Sequence, residues 1–189
     1  MLGTMKSILL FLFAAVASSA AAAQFEFRVL ATTKTSTMER ELNEAAEAGY
    51  AFSAVMGGGT AGGNEVVVVM TKIVTGSPRR SYKLLATSRT STMQKEMQAL
   101  GDEGYDYVGQ TVFSSTFGGR EVSVVMERRD AASKMRIAYK LQATSRTSTM
   151  QKELNQAGED GFELVGLTVA NTALGGNEIV SILRKKSGE

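Results

Sequence analysis

The sequence predicts an α+β protein built from three tandem β-α-β-β units. The first observation is a repeated segment: ATSRTSTMQKE occurs at residues 86–96 and again at 143–153, and a looser copy, ATTKTSTMERE, covers 31–41. The second is an alternation of apolar and polar residues before each copy, and the third is a helical spacing of apolar residues within and after it. We expect units at residues 24–73, 81–129 and 137–189, joined by linkers at 74–80 and 130–136.

Residues 1–23 have the layout of a secretory signal peptide. Lys6 gives a basic start, an apolar run extends from Ile8 to Val16, and small residues precede the expected cleavage site at Ala23–Gln24. A stable membrane anchor is the alternative, but this run is shorter than the roughly 20 residues that span a bilayer. We therefore expect an exported bacterial protein, either secreted or periplasmic.

Each unit begins with a strand and continues into a helix. In the second unit Tyr82 and Leu84 alternate with Lys83, which predicts a strand with one buried face. Met93 and Met97 then recur at helical spacing, and a glycine follows each helix (Gly49, Gly104 and Gly161), where a left-handed residue ends a helix.

Two further strands complete each unit, for example YVGQTVF and VSVVM in the second. The last strand is the most apolar, which indicates a central position with both faces buried. Because the helical crossover makes the first two strands parallel, the third lies antiparallel between them in the order 1-3-2.

The outer strands of each unit are edges that need partners. We expect neighbouring units to join them into one mixed sheet of up to nine strands, with the three helices on one face. The opposite face then carries Val67, Val69, Val125, Val180 and Ile182. Closure of the sheet on itself or a homo-oligomer formed through this apolar face is expected to cover them.

The composition excludes several classes of function. There are 21 Lys and Arg against 19 Asp and Glu, and this balance argues against a nucleic-acid partner. The chain has no cysteine and no histidine, so thiol chemistry, disulfides and the usual soft metal ligands are missing. We therefore expect no cofactor and no metal.

The repeated polar segment has two interpretations. Ser36, Ser91 and Ser148 each precede a Glu or Gln by three residues, which predicts a capping box at each helix start. A basic residue two positions earlier also suits an anion, such as a phosphate, a carboxylate or an acidic glycan, bound by the first-turn N–H groups. The predicted anion-binding residues are Lys34, Ser36, Thr37, Arg89, Ser91, Thr92, Arg146, Ser148 and Thr149.

Parts of the chain resemble a known family. YKLLATS with MQKEMQALGDEGYDYVGQ, and YKLQATS with KELNQAGEDGFELVG, are similar to small bacterial domains of unknown function that have a Y-K-V strand, an L-N-E-L-G helix and a G-W-E-L-V strand. Residues 161–165 match the last element best, with Phe162 in place of the tryptophan. The resemblance implies the repeated fold and no activity. A looser likeness is to periplasmic stress and biofilm proteins built from exported β-α-β-β units.

We expect an exported, non-enzymatic binding or scaffold protein. The alternative is a secreted hydrolase that uses the carboxylates recurring after each Gly-Gly turn, Glu65, Glu121 and Glu178.

Overall fold

A computed structural model describes residues 25–73, 79–114, 120–129, 135–171 and 177–187. The predicted signal peptide at 1–23 and most of both predicted linkers lie outside these residues. The described elements are β1 (Phe25–Thr32), α1 (Thr35–Glu47), β2 (Ala51–Thr60), β3 (Gly63–Ile73), β4 (Arg80–Thr87), α2 (Thr90–Asp102), β5 (Asp106–Ser114), β6 (Arg120–Arg129), β7 (Arg136–Thr144), α3 (Thr147–Glu159), β8 (Glu163–Asn171) and β9 (Asn177–Ser187).

The predicted α+β fold and the β-α-β-β unit are confirmed. The three sheets have the orders β1-β3-β2, β4-β6-β5 and β7-β9-β8, so the most apolar strand is central in each. Every neighbouring pair of strands is antiparallel. The predicted glycines follow the helices with φ of 89° at Gly49, 85° at Gly104 and 82° at Gly161. No helix in the described part of the chain is long and apolar enough to cross a membrane.

The prediction of a single sheet of up to nine strands is wrong, because the units keep three separate three-stranded sheets. The first strand of the second and third units does not pair with a strand of the preceding unit. Instead, side chains of α1 bind the edge of β4, and side chains of α2 bind the edge of β7. A backbone edge can be satisfied by polar side chains as well as by another strand.

The units stack so that each completes the core of the one before it. We call the side of a sheet that packs on its own helix the helix face, and the opposite side the bare face. On the helix face of the first sheet, Val68 and Met70 pack with Met38 of α1, and the same core cluster includes Tyr82 and Val125 from the bare face of the second sheet. The first core is therefore shared by two units.

A second core cluster repeats this arrangement one unit later. Met93 and Val124 belong to the helix face of the second unit, and Tyr139, Val180 and Ile182 come from the bare face of the third. The face that was predicted to be covered by closure of the sheet or by a second subunit is thus covered by the preceding unit at Val125, Val180 and Ile182, which are fully buried. Its first-unit members, Val67 and Val69, are only half-buried.

A bulge in the second strand of every unit supports this stacking. The register shifts between Phe52 and Ala54, between Tyr107 and Gly109, and between Leu164 and Gly166. A bulge bends its strand and redirects a side chain. Phe52 thereby meets the second sheet at Gly109, where an added Cβ would lie 2.6 Å from the ring atom Cζ.

Candidate functional site

The structure places each set of predicted anion-binding residues at the start of its own helix. Thr37 and Thr92 are half-buried, and the other predicted residues are exposed: Lys34, Ser36, Arg89, Ser91, Arg146, Ser148 and Thr149. The three sets lie on three different units. Ser36 also lines a surface cleft of about 410 Å³ between α1 and β4, together with Glu39, Asn43 and Leu84.

The predicted capping boxes are wrong. Each helix begins two residues earlier than a serine cap requires, so the basic residue (Lys34, Arg89 or Arg146) occupies the N-cap position with no side-chain cap hydrogen bond. The preceding threonine fixes the turn instead: Thr87 Oγ1 accepts from the backbone N–H of Arg89 at 3.2 Å, and the other two units repeat this contact.

Two of the three residues predicted for the capping boxes, Glu39 and Gln94, have a different role, because they bind the next unit. Glu39 Oε2 accepts from the backbone N–H of Leu84 at 3.0 Å, and Glu39 also pairs with Lys83 at 3.1 Å. Four residues later, Asn43 donates to the carbonyl of Tyr82 at 3.0 Å and accepts from its N–H at 2.9 Å. Two side chains of α1 therefore hold the free edge of β4.

The junction between the second and third units uses the same positions. Gln94 donates to the carbonyl of Tyr139 at 2.8 Å and accepts from the N–H of Leu141 at 2.7 Å. Gln98 accepts from the N–H of Tyr139 at 2.9 Å. We call this pair of polar side chains, four residues apart on the helix, the clamp.

A buried tyrosine anchors each junction from the strand side. The Tyr82 hydroxyl accepts from the N–H of Phe52 at 2.9 Å and donates to Glu127 at 2.6 Å. The Tyr139 hydroxyl accepts from the N–H of Tyr107 at 2.7 Å and contacts the carbonyl of Tyr105 at 3.1 Å. Each clamped strand therefore also binds the bulged strand of the unit before it.

Burial raises the pKa of three tyrosines at the junctions, Tyr82, Tyr107 and Tyr139. It raises the pKa of Tyr107 to about 12. For Tyr82, burial and then the hydrogen bond to Glu127 raise the pKa, and for Tyr139 burial and then the charge of Asp106 do so. Each group keeps its proton in the folded chain at a pH where an unfolded tyrosine, with a pKa of about 10, has lost it.

We expect the folded chain to lose stability as the pH rises above about 10. A raised folded-state pKa contributes stability that is complete below the unfolded value and is lost as the pH climbs through the folded one. In a titration followed by tyrosinate absorbance, Tyr82, Tyr107 and Tyr139 are expected to ionise only near or above pH 12, or together with loss of the circular dichroism signal. Ionisation of all 5 tyrosines in one step near pH 10, with the structure intact, would contradict their burial.

A charged cleft of about 290 Å³ lies between the second and third units. Its carboxylates are bound by cations of the protein itself: Asp106 pairs with Arg184 and with Lys186 at 2.7 Å, and the buried Glu127 pairs with Arg129 at 2.6 Å. The cluster therefore fixes the two units to each other.

The carboxylates of the hydrolase alternative lie near the starts of the third strands of three separate sheets. Glu65 contacts the hydroxyl of Thr60, while Glu121 and Glu178 are half-buried. Among the described residues, no group of three or more His, Cys, Asp or Glu side chains could hold a metal ion.

In the third unit the clamp residues bind no strand of the part of the chain that the structure describes. Gln151 and Asn155 occupy the clamp positions of α3, are exposed, and bond each other at 3.0 Å. Leu164 and Leu167 lie on the helix face of the third sheet and are also exposed. We did not predict this site from the sequence, although the pattern is present there. Each helix has a Glu or Gln followed four residues later by an Asn or Gln: Glu39 and Asn43, Gln94 and Gln98, and Gln151 and Asn155.

No protein-family model, curated protein or solved structure matches the chain.

Proposed function

We propose that this protein is an exported, non-enzymatic scaffold whose third unit binds an extended strand of a partner protein. The observation that carries the proposal is the free clamp of Gln151 and Asn155. The same positions bind a strand edge twice within the chain, through Asn43 on β4 and through Gln94 and Gln98 on β7.

The surroundings of the free clamp define the strand that it would accept. On the helix face of the same unit, Leu164, Leu167 and Val169 are 47%, 48% and 39% exposed. In the internal junctions the clamped strand presents an aromatic residue and a leucine two positions apart, as in Tyr82 and Leu84. A partner strand with apolar side chains at alternate positions would therefore bury this surface while its backbone binds the clamp.

A peptide that covers β4, residues 80–87, is expected to bind the mature chain from Gln24 onward in a saturable way. Asn155→Ala removes a donor and an acceptor, each worth about 1 kcal/mol, so the affinity is expected to fall roughly tenfold or more. Lys152→Ala is the matched control, because it changes an exposed residue of the same helix. Fluorescence anisotropy of the labelled peptide measures both. Equal affinities of the peptide and a scrambled version would contradict a strand-binding clamp.

A small anion or an acidic glycan at the helix starts is the second candidate. It is favoured by the uncapped first turns, because the N–H groups that a serine would have satisfied have no side-chain cap. The exposed cations Lys34, Arg89 and Arg146 precede those groups, where an anion would also interact favourably with the helix dipole.

If such an anion binds, millimolar phosphate or a uronic acid is expected to raise the melting temperature of the mature chain by linkage. The increase is expected to be smaller in Arg89→Ala and Arg146→Ala and to decrease with added sodium chloride. Lys95→Ala, at an exposed position beyond the first turn of α2, is the control. The absence of an anion-dependent shift in the parent chain would remove these residues from consideration as a site.

A further inference from the structure

Each end of the stack exposes an apolar face. On the bare face of the first unit, Phe25, Phe27 and Val29 are 54%, 64% and 64% exposed. The residues at the position of Phe27 in the later units, Tyr82 and Tyr139, are 1% and 4% exposed, because the preceding unit covers them. Within the described residues, which begin at Phe25, no unit precedes the first.

At the other end, no unit among the described residues, which end at Ser187, packs on the helix face of the third unit. Met150 and Leu154 of α3 are half-buried, whereas Met38 and Leu42 at the same positions of α1 are 0% exposed. Repeat proteins of this kind usually end in units with a polar outer face. Here both outer faces are apolar.

The two ends are complementary halves of one junction. The third unit has the helix, the clamp and the helix face, and the first unit has the free strand edge of β1 and the bare face. Phe27 and Val29 repeat the alternation of Tyr82 and Leu84, the strand that the clamp of α1 binds.

Side-chain sizes at the bulge also match. In the internal junctions an aromatic residue faces a glycine: Phe52 lies against Gly109, and Tyr107 lies against Gly166. The register places Leu164 at the aromatic position of the third unit and Ala54 at the glycine position of the first. In a junction between these ends, Leu164 is smaller than the aromatic residue of the internal junctions and Ala54 is larger than their glycine. The total side-chain volume is therefore similar.

We propose that a second copy of this chain is the partner, docking the bare face and β1 edge of its first unit on the third unit of the first copy. This inference rests on the strand-binding function proposed above and identifies its strand as β1. The contact is heterologous, since different surfaces meet, so repetition produces a closed ring or an open filament.

The test is sedimentation velocity of the mature chain from Gln24 onward over a series of concentrations. The parent chain is expected to form species whose mass increases with concentration or stops at one ring size. Phe27→Lys and Leu167→Lys change exposed residues, so each variant is expected to fold, as a circular dichroism melt would show, and to associate roughly a hundredfold more weakly. Phe27→Tyr, which copies Tyr82 and Tyr139, is expected to keep the association.

The mixture of the two lysine variants tests the polarity. Phe27→Lys retains an intact third unit and Leu167→Lys retains an intact first unit, so an equimolar mixture is expected to form a one-to-one dimer that does not grow. A parent chain that is monomeric at every concentration, or a mixture that does not dimerise while each variant is folded, would overturn the proposal. Binding of the β4 peptide by the Phe27→Lys chain, in which the clamp is free, separates the outcomes: if that binding persists, the strand-binding function stands without the second copy.

Discussion

Replacing Gly101 with alanine is expected to destabilise the folded chain by about 3 kcal/mol. Gly101 lies in α2 where the helix crosses the first strand of the third unit. A Cβ at this position would be 2.1 Å from the carbonyl oxygen of Ile137 and 3.0 Å from the ring of Tyr139. The clash with a backbone atom cannot be relieved by a rotamer change, so α2 and β7 would have to separate, and the clamp would lose its hydrogen bonds.

Gly158→Ala is the matched control, since Gly158 holds the same position in α3 and an added Cβ there meets nothing within 4 Å. That variant is expected to gain up to about 1 kcal/mol, because alanine favours a helix more than glycine does. Free energies of unfolding from urea titrations at low protein concentration measure both changes. If the units were independent, both substitutions would be stabilising, so the sign for Gly101 decides between the two arrangements.

Glu127→Ala is expected to cost about 3–5 kcal/mol, the range for breaking a buried ion pair from one side. The Glu127 side chain is 3% exposed and accepts from the Tyr82 hydroxyl at 2.6 Å. It also lies 3.5 Å from the guanidinium of Arg80, which is 12% exposed. Its removal takes the acceptor from the buried Tyr82 hydroxyl and removes one anionic partner of the Arg80 guanidinium.

Glu163→Ala provides the comparison, because it also removes a carboxylate from an ion pair, but an exposed one. Glu163 pairs with Arg184 at 2.6 Å, and its side chain is 58% exposed. An exposed ion pair contributes at most about 1 kcal/mol. Urea unfolding of the two variants is expected to show a difference of at least about 2 kcal/mol between them. Similar losses in both would show that the Glu127 cluster is more open to solvent than its contacts indicate.

The unit itself could be predicted from the sequence. The alternation around Tyr82 predicted a strand with one buried face, the spacing of Met93 and Met97 predicted the buried side of a helix, and the apolar VSVVM run predicted a central strand. These features depend on local periodicity. The structure confirms the buried side of the helix and the central strand, whereas β4 is half-buried on both faces beyond Lys83.

The packing between units could not be predicted in the same way. Periodicity shows that Val125 is buried but does not show which neighbour covers it, and it cannot distinguish a strand from a helix side chain as the partner of the β4 edge. The capping-box prediction failed for a related reason: the same Ser-to-Gln spacing occurs in a helix that begins two residues earlier, where Gln94 binds the next unit.

The contacts at the junction between units explain why the polar segment is identical in the second and third units. In the second unit, Thr87 fixes the turn, Met93 is buried in the core and Gln94 binds the next strand. In the third unit the identical segment includes a clamp residue, Gln151, that binds no strand within the described part of the chain. A second copy docked on that unit would give the third segment the same role as the second.

The contacts at the bulges test most directly the central claim, that each unit completes the core of the one before it. A NOESY spectrum of the mature chain at low concentration is expected to show cross-peaks between the Phe52 ring and the Hα protons of Gly109, and between the Tyr107 ring and those of Gly166. Strong cross-peaks within each unit, between Met38 and Val68 for example, serve as the internal reference. Intra-unit cross-peaks without either inter-unit pair would contradict the stack and show three independently folded units.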